Sequence, residues 1–261
     1  MTYHQSLFIV KLNIVNRASF YFPAKFILHA SIGNSEYFIL ESCEYKGNFL
    51  KFFPHTGIIL NIDNDHLDYY KTFDNVIKAF QDFSLIIEED GLLVTNGDDK
   101  NCLALKDIVK CNYLCYGIEN ENADYVAKNI SYDKNGFASF DVYKHNNLLG
   151  HISLSVAGSH NILNALACIT TCDYYGIDIQ TIQKGLKAFT GASRRLEYKG
   201  EINSCTIIDD YAHHPTEIKA TATAIQNKEY NKSWVVFQPH TYSRTKEHLD
   251  AFANSLLGFD N

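Results

Sequence analysis

Short apolar runs alternate along this chain with stretches of helical periodicity, and this alternation limits the folds that the chain can adopt. Residues 36–40 and 57–62 are almost continuously apolar, as expected of strands that are covered on both faces. Residues 73–87 instead place apolar side chains every three or four positions, which predicts an amphipathic helix. Further apolar runs follow at residues 92–95 and 113–116. A β-α-β-α order of this kind predicts an α/β fold in which helices cover a parallel sheet.

The pattern changes between residues 123 and 156, where apolar and polar side chains alternate. Phe137 and Val142 lie between two turn-forming segments, at residues 133–136 and 145–147. This spacing predicts an antiparallel meander attached to the parallel sheet.

Two helices are predicted after the meander, over residues 161–175 and 179–189. Gly176 is well placed to end the first helix, and Asp178 is well placed to cap the start of the second. The small and polar residues 190–193 then form the best candidate for a linker.

After this linker the alternation of strands and helices restarts. Strands are predicted at residues 202–208 and 234–237. One helix is predicted to begin at Pro215, because proline suits the first helical position, and another to run through Leu257. Two strands and two helices make about half of a doubly wound domain.

These patterns predict two α/β domains, each with a parallel-sheet core. The first covers residues 32–191 and carries the antiparallel meander, and the second, a truncated Rossmann-like domain, covers residues 192–261. The boundary is expected near residues 190–194. Residues 1–31 match neither pattern and are left unassigned.

Charge and composition exclude several classes of partner. The chain has 23 Lys and Arg residues against 30 Asp and Glu residues, which gives a formal charge of −7. This balance gives no electrostatic reason to expect nucleic acid or an anionic membrane surface as a partner. We find no secretory signal and no apolar run of membrane-spanning length, so we expect a cytoplasmic protein.

Seven cysteines are scattered through apolar segments, which indicates reduced thiols. Cys111 and Cys115 lie four positions apart, as do Cys168 and Cys172, but neither pair has the closer spacing of a zinc knuckle. We therefore expect buried structural thiols rather than zinc ligands.

Acidic residues and a histidine follow the first two predicted strands. Glu41 and Glu44 come after the first strand, and Asp63, Asp65 and His66 come after the second. Ligands bind beyond the carboxyl ends of strands in open α/β sheets. These side chains therefore suit a hard cation such as Mg²⁺, with helix capping and loop solvation as the alternative interpretation.

A second polar cluster lies at the start of the helix that follows the meander. His160, Asn161 and Asn164 fall within one helical turn, where exposed amides can bind the edge of a nucleotide base. The alternative is that Ser159 or Asn161 simply caps the helix.

The third cluster, residues 209–215, has more polar groups than one helix cap requires, which favours a metal or substrate site. His240 and Arg244 follow the next predicted strand, where a guanidinium can bind a phosphate or carboxylate. Arg194 and Arg195 form an adjacent basic pair after the linker. This pair either neutralises phosphate or is a solvated surface pair.

Six segments occur together in the order and spacing of a known family. They are ESCEY, NIDNDHLDYY, GSHNILNALA, TGASRRLEY, DDYAHHPTE and QPHTYSRT, and they span roughly residues 33–257. The chain thereby resembles the Mur ligases, which are ADP-forming amide ligases of peptidoglycan precursor synthesis. The resemblance implies part of the central ATPase domain and the first half of the C-terminal domain. It also implies ATP and Mg²⁺ as cofactors, an acyl-phosphate intermediate, and UDP-N-acetylmuramate and L-alanine as substrates.

The resemblance also assigns roles to residues of the three clusters. It implies that Glu41 and His66 bind Mg²⁺, and we expect them close together at the carboxyl ends of neighbouring strands. It further implies adenine-side contacts for His160, Asn161 and Asn164, ATP contacts for Arg195 and Asp210, substrate contacts for Tyr211, His213, His240 and Arg244, and catalytic roles for Arg195 and His213.

Two features of the family have no counterpart in this sequence. One is the domain that binds the UDP-sugar. The other is the phosphate-binding loop, since no G-x-x-x-x-G-K-[ST] motif occurs in the sequence. We therefore expect an inactive fragment of a ligase. The alternatives are a ligase that adds a murein tripeptide to UDP-N-acetylmuramate, a non-catalytic remnant, or a metal-dependent hydrolase that uses Asp209, His213 and His214.

Overall fold

The structure is a computed structural model that describes residues 6–11, 30–32 and 37–261. The chain divides into two compact units between Asp124 and Tyr125, and each unit is described here by itself. The domain boundary near residues 190–194, inferred from the sequence pattern, stays a prediction.

The first unit is a sheet with short helices. Its strands are β1 (Ser6–Lys11), β2 (Ala30–Ile32), β3 (Tyr37–Ser42), β4 (Thr56–Ile59), β5 (Leu92–Asn96) and β6 (Asn112–Gly117). Its helices are α1 (Leu67–Tyr70), α2 (Phe73–Leu85) and α3 (Lys100–Leu103), with 3₁₀ segments at Tyr45–Lys51 and Ala104–Asp107. Within this unit the strands lie in the order β2-β3-β1-β4-β5-β6.

The strand directions confirm the α/β class but correct the predicted parallel core. Strand β4 pairs in parallel with β5, and β5 pairs in parallel with β6. Strand β1 pairs antiparallel with both β3 and β4, and β2 pairs antiparallel with β3. The parallel prediction therefore holds for β4 to β6 and is wrong for β1 to β3. The reason is that β1 and most of β2 come from residues 1–31, for which the sequence pattern predicted nothing.

Strand β3 also differs from the prediction in its burial. Leu40 is 1% exposed, whereas the adjacent Ile39 is 42% exposed. Successive side chains of a strand point to opposite faces, so one face of β3 is open. The prediction that both faces are covered is wrong for this strand.

Helix α2 confirms the amphipathic helix predicted from the apolar spacing. It begins after Thr72, whose hydroxyl oxygen accepts the backbone N–H of Asn75. Its buried face packs on Phe49, whose ring centroid lies 5.1 Å from that of Phe80 and 5.2 Å from that of Phe83. This aromatic cluster is part of the main core of the unit.

The turn after β5 connects the loop that follows β4 to the start of α3. One carboxylate oxygen of Asp99 accepts the backbone N–H groups of Asn101 and Cys102, at 2.8 and 3.1 Å. The other oxygen accepts the backbone N–H of Ile62 at 3.0 Å. Asp99 therefore caps α3 and fixes the neighbouring loop with the same carboxylate.

The adjacent carboxylate of Asp98 holds the loop that follows β6. It accepts the backbone N–H groups of Ile118, Glu119 and Asn120 at 2.8 to 3.1 Å. Asp98 and Asp99, which follow β5, thus fix the loop after β6 and the loop after β4 through hydrogen bonds to backbone N–H groups.

The second unit contains strands β7 (Tyr125–Tyr132), β8 (Phe137–Lys144), β9 (Asn147–Ala157), β10 (Glu197–Ile202) and β11 (Cys205–Asp209). Its helices are α4 (His160–Tyr174), α5 (Ile179–Ala188), α6 (Pro215–Gln226), α7 (Tyr242–Glu247) and α8 (Leu249–Leu256). No helix in the described part of the chain combines the length and apolar character that a membrane span requires.

The predicted antiparallel meander is confirmed as β7, β8 and β9. Strand β8 pairs antiparallel with both of the others. In the first turn, one carboxylate oxygen of Asp133 accepts the backbone N–H groups of Asn135 and Phe137. In the second turn, His145 and Asn146 have φ values of 45° and 65°, as a two-residue hairpin turn requires.

The two helices predicted after the meander are confirmed as α4 and α5. Gly176, with φ of 75°, follows the end of α4, and the next residue, Ile177, donates its backbone N–H to the Cys172 carbonyl. Asp178 caps α5 as predicted, because its carboxylate accepts the backbone N–H of Thr181 at 2.9 Å.

The single strand predicted at residues 202–208 is wrong. This segment is a hairpin in which β10 and β11 pair antiparallel, and the turn lies at Asn203 and Ser204. Both residues have positive φ values, 51° and 62°, which is the backbone of a tight hairpin turn. An Asn-Ser pair without glycine is a weak turn signal, so the apolar run around it hid the turn.

The strand predicted at residues 234–237 is also wrong, and with it the parallel core expected in the second domain. In the described part of the chain this segment pairs with no strand. It is held at its start by Ser233, which donates from its backbone N–H and its hydroxyl to Asp260 at 2.7 and 2.9 Å. The helix predicted to reach Leu257 is instead two helices, α7 and α8, which meet at His248.

Replacing Asp99 with alanine should destabilise the first unit by about 2–3 kcal/mol, because three backbone N–H groups lose a charged acceptor. Urea unfolding measures this loss, and hydrogen exchange should speed up at the amides of Ile62, Asn101 and Cys102. The matched control is Asp107→Ala at an exposed position, which should change stability by less than about 0.5 kcal/mol. Equal effects of the two variants would show that the hydrogen bonds to Asp99 do not stabilise the first unit.

Candidate functional site

A buried carboxylate faces a histidine in the loop after β4. The imidazole Nε2 of His66 lies 3.0 Å from a carboxylate oxygen of Glu44, which is 2% exposed. His66 has a left-handed backbone, with φ of 59°, and its backbone N–H is accepted by Asp65 at 2.7 Å. The ring of Tyr45 packs against the imidazole with centroids 5.0 Å apart. The loop thus holds His66 in one orientation toward Glu44.

The second carboxylate oxygen of Glu44 is buried and has no hydrogen-bond partner among the described residues. A buried charged oxygen without a partner is costly, and a bound cation would remove that cost. Carboxylate oxygen is also the ligand that Mg²⁺ prefers in proteins. The donor set of Glu44 and His66 therefore fits a divalent cation.

Further negative charge surrounds this pair. Desolvation, together with the carboxylate of Glu44, raises the pKa of the Cys43 thiol to about 11, and Glu41 and Asp65 act in the same direction. Nearby carboxylates raise a thiol pKa because they disfavour the thiolate. Cys43 is therefore a neutral thiol at pH 7, in surroundings that attract a cation.

The expected geometry of Glu41 and His66 is wrong in one respect. Their strands are not neighbours, because β1 lies between β3 and β4. The carboxylate that contacts His66 belongs to Glu44, three positions after Glu41. Sequence reasoning included Glu44 in the cluster without giving it a role, and its place in the ESCE segment was the available signal. The role of Glu41 as a metal ligand stays a prediction.

At the start of α4, neither Ser159 nor Asn161 acts as a simple cap. Ser159 makes no side-chain capping bond. The side-chain amide of Asn161 donates to the Ala157 carbonyl at 2.7 Å, and its oxygen accepts the amide of Asn164 at 3.1 Å. The alternative interpretation of this cluster as a helix cap is therefore wrong.

Two polar atoms at this helix start are buried without a hydrogen-bond partner among the described residues. They are Nδ1 of His160 and the side-chain oxygen of Asn164. Gly158, with φ of 101°, leaves room for the His160 ring, because a Cβ at this position would clash with that ring. Burial lowers the pKa of His160 to about 3, and the charge of Arg195 acts in the same direction. The two groups are thus uncharged at pH 7, which suits hydrogen bonds to a neutral base edge.

Two arginines gather on the ring of Tyr211. The guanidinium of Arg194 lies 4.7 Å from the ring centroid, and that of Arg195 lies 5.7 Å from it. The backbone N–H of Tyr211 donates to the Arg194 carbonyl at 2.8 Å, which joins the two segments. This arrangement brings two positive charges to one aromatic ring, with Arg194 also 3.5 Å from the carboxylate of Asp209, and a guanidinium here can bind phosphate or carboxylate.

Asp210 uses both of its carboxylate oxygens on the backbone. One accepts the N–H of Ala212 and the other accepts the N–H of Leu196, each at 2.8 Å. Leu196 and Arg194 both have positive φ values, 48° and 57°, so Asp210 helps to hold a strained turn. Its contact with ATP stays a prediction.

Glu217 positions the two histidines of the third cluster. One oxygen of its buried carboxylate accepts the backbone N–H groups of His213 and His214, at 2.7 and 3.1 Å. Nδ1 of His213 lies 2.8 Å from the Tyr211 carbonyl and 3.3 Å from the same carboxylate. Glu217 is not among the site residues predicted from the sequence, and the available signal was an acidic residue in the first turn of the helix that begins at Pro215.

Three of the residues predicted to contact substrate lie close together, namely Tyr211, His213 and His240. The ring of His213 lies 4.9 Å from that of Tyr211 and 6.1 Å from that of His240. Thr241 follows His240 with φ of 66°, and Arg244 lies just beyond it in α7. The roles of these residues stay predictions.

The metal site of the alternative hydrolase is not assembled. Asp209, His213 and His214 form no group of metal ligands where the structure describes the chain. The described residues contain one group of three possible ligands whose atoms lie within 4.8 Å of one another, namely His55, Glu88 and Asp90. The geometry therefore removes the support for a hydrolase at the third cluster.

Replacing His160 with glutamine should reduce the sensitivity of the protein to acid. The folded pKa of about 3 lies below the ordinary value of 6.5. Between these values the unfolded chain binds a proton that the folded chain does not, so stability falls as the pH drops. From neutral pH to about pH 5 this loss is about 2 kcal/mol, and His160→Gln should remove it.

Urea unfolding at several pH values measures this effect, with His145→Asn at an exposed position in the turn between β8 and β9 as the control. The control should keep the slope of stability against pH found for the unchanged protein. An unchanged slope in His160→Gln would contradict the neutral state of the buried imidazole.

Comparison with curated proteins finds relatives that share one name. The C. acetobutylicum UDP-N-acetylmuramate–L-alanine ligase is 52% identical over 228 residues, and that of C. beijerinckii (both species of Clostridium) is 53% identical over 221 residues. The alignments cover 87% and 85% of this chain but only 49% and 48% of those proteins. The chain thus spans about half the length of the curated relatives that it matches.

Solved structures of two ligases have a fold similar to that of this chain. The UDP-N-acetylmuramate–alanine ligase of Thermotoga maritima superposes with a TM-score of 0.67 and 29% identity, over 82% of this chain and 46% of that protein. MurF from Acinetobacter baumannii superposes with a TM-score of 0.69 over 80% of this chain and 46% of that protein. At 24% identity it supports the fold alone.

Two family descriptions account for most of the sequence. The Mur ligase glutamate ligase domain matches residues 194–261. The Mur ligase middle domain matches residues 20–172, which is more than half of the chain. The resemblance inferred from the six sequence segments is thereby confirmed, and the chain belongs to the Mur ligase family.

Proposed function

We propose that this chain provides the metal-binding, nucleotide-binding and part of the substrate-binding machinery of an ATP-dependent ligase that joins L-alanine to UDP-N-acetylmuramate. The observation that carries this proposal is its identity of 52–53% with ligases of that name, over 85–87% of the chain. A cytoplasmic location is part of the same proposal.

In the proposed site, Glu44 and His66 hold Mg²⁺, with Glu41 as a further ligand. The support is the 3.0 Å contact between Glu44 and His66 and the unpaired buried oxygen of Glu44. When bound, Mg²⁺ neutralises negative charge on the phosphates of ATP. Glu44 and His66 are held by backbone and aromatic contacts, so little reorganisation is needed when the cation binds.

The adenine of ATP binds at the start of α4 in this proposal. The neutral His160 imidazole offers one donor and one acceptor nitrogen, and the amide oxygen of Asn164 accepts a hydrogen bond. Asn161 positions the Asn164 amide through their 3.1 Å contact. These groups complement a base that carries both donors and acceptors on its edge.

The first chemical step transfers a phosphoryl group. A carboxylate oxygen of UDP-N-acetylmuramate attacks the γ-phosphorus of ATP, the bond to the β-γ bridging oxygen breaks, and ADP leaves. Arg195 stabilises the negative charge on the transferring group, and its position near the Tyr211 ring supports this role. Asp210 fixes the backbone next to this arginine, because its carboxylate accepts the N–H of Leu196.

The second step forms the amide bond. The amine of L-alanine attacks the acyl carbon, and phosphate leaves from the tetrahedral intermediate. His213 accepts the proton that the amine loses, and Glu217 and the Tyr211 carbonyl orient its ring. Tyr211, His240 and Arg244 bind the carboxylates of the two substrates.

A chimera tests this proposal directly. Residues 37–261 replace the matching segment of the C. acetobutylicum ligase, and ADP release is measured with ATP, Mg²⁺, UDP-N-acetylmuramate and L-alanine. We expect turnover that depends on all four components. Turnover with a murein tripeptide in place of L-alanine would favour the tripeptide ligase, and no turnover in a folded chimera would favour a non-catalytic remnant.

In the same chimera, His66→Ala should lower kcat by about 10²–10³, because a preorganised group near developing charge is lost. Raising the Mg²⁺ concentration should restore part of the rate. His151→Gln, on an exposed strand position, is the matched control and should leave the rate unchanged. A rate unaffected by His66→Ala would contradict the metal assignment.

The chain by itself should not ligate L-alanine at a measurable rate. Its sequence has no G-x-x-x-x-G-K-[ST] loop to hold the β- and γ-phosphates, and positioning of reactants can supply roughly 7–11 kcal/mol of barrier reduction. The same ADP-release assay tests this expectation. Turnover by the chain alone, dependent on all four components, would show that another segment replaces the loop.

A further inference from the structure

Two cysteines lie side by side on the outer face of α4. Cys168 and Cys172 are one helical turn apart, and their sulfur atoms are separated by 3.9 Å. Both are reduced, with Cys168 exposed and Cys172 half-buried. The expectation of a buried structural thiol is therefore wrong for Cys168. Neither residue has a role in the proposed ligase chemistry.

The spacing of the two residues along the helix favours metal binding over disulfide formation. A disulfide needs sulfur atoms about 2.05 Å apart and Cβ atoms about 3.5–4.5 Å apart, whereas Cβ atoms one helical turn apart are about 5–6 Å from each other. A tetrahedral Zn²⁺ with bonds of about 2.3 Å places two thiolate sulfurs about 3.8 Å apart. The observed 3.9 Å is a contact between two thiols, and a single metal ion could bind both sulfur atoms with almost no change in their separation.

We propose that Cys168 and Cys172 form a bidentate thiolate site for a soft divalent cation of the zinc and cadmium class. Binding forms two metal–sulfur bonds and releases the two thiol protons to solvent. Water occupies the remaining positions of the tetrahedron, as it does in open metal sites.

The position of the pair on the helix supports a cation. Cys172 lies in the last turn of α4 (His160–Tyr174), where the partial negative charge of the helix C-terminus favours positive charge. The contact between the two sulfur atoms lowers the pKa of Cys172 and raises that of Cys168, because the Cys168 thiol donates to the Cys172 thiolate. A bound metal must therefore displace the Cys168 proton, which makes binding depend on pH.

The adjacent acidic side chain is engaged elsewhere. The carboxylate of Asp173 accepts the ammonium of Lys144 at 2.6 Å and the hydroxyl of Tyr125. The site is therefore defined by sulfur ligands, which favours soft cations over Mg²⁺. The proposal of a metal site at Cys168 and Cys172 does not depend on the proposed ligase function.

Titration of the reduced full chain with Cd²⁺ tests this site, with the ultraviolet charge-transfer band of cadmium thiolates as the signal. We expect one equivalent to bind with the intensity of two thiolates, and affinity to fall as the pH is lowered. Cys168→Ser and Cys172→Ser should each weaken this binding at least about tenfold. Cys205→Ser, at an exposed single thiol, is the matched control and should leave it unchanged.

A second measurement needs no substitution and therefore does not depend on the folding of the variants. Cd²⁺ should protect two cysteines of the unchanged protein from alkylation, and peptide mass spectrometry should identify them as Cys168 and Cys172. Protection of other cysteines, or a titration unaffected by Cys168→Ser, would overturn the proposal. Spontaneous formation of a disulfide between the two residues in place of cadmium binding would overturn it as well.

Discussion

Both candidate regions depend on hydrogen bonds that backbone N–H groups donate to the carboxylates of Asp and Glu side chains. Asp99 holds three such groups in the first unit, and Asp98 holds three more. Asp210 and Glu217 each hold two in the second unit. A hydrogen bond to a charged acceptor contributes about 1.5–3 kcal/mol. Asp99, Asp210 and Glu217 therefore order segments next to candidate ligands before any ligand binds, whereas Asp98 orders the loop after β6.

The ordered loops leave some polar groups without partners and some backbone under strain. Glu44, His160 and Asn164 each bury an atom that has no hydrogen-bond partner among the described residues. His66 and Arg194 have positive φ values although neither is glycine. Each such feature costs about 1–3 kcal/mol. These five residues all lie in segments that resemble the Mur ligase motifs, whereas the positive φ values of the hairpin turns serve the turns themselves. The buried polar atoms without partners are the physical argument for ligand binding at those segments.

Local patterns in the sequence were sufficient for helices α2, α4, α5 and α6 and for the meander. Helix α2 follows from apolar spacing, α5 from Asp178 at its start, and α6 from Pro215, because each signal acts within a few residues. The same holds for the turn at Asp133, where one side chain closes the hairpin. The sequence segments also identified the family, since six short motifs in a fixed order are specific even without a structure.

The sequence by itself determined the α/β class, helices α2, α4, α5 and α6, the family and the three polar clusters. Only the tertiary structure decided that β1 separates β3 from β4, that Glu44 is the carboxylate that contacts His66, and that residues 197–209 form a hairpin. It also decided that residues 234–237 are not a strand and that the sulfurs of Cys168 and Cys172 face each other at the surface. The reason is physical, because strand order and side-chain partners depend on contacts between residues far apart in the chain. Periodicity and capping report only on neighbours along it.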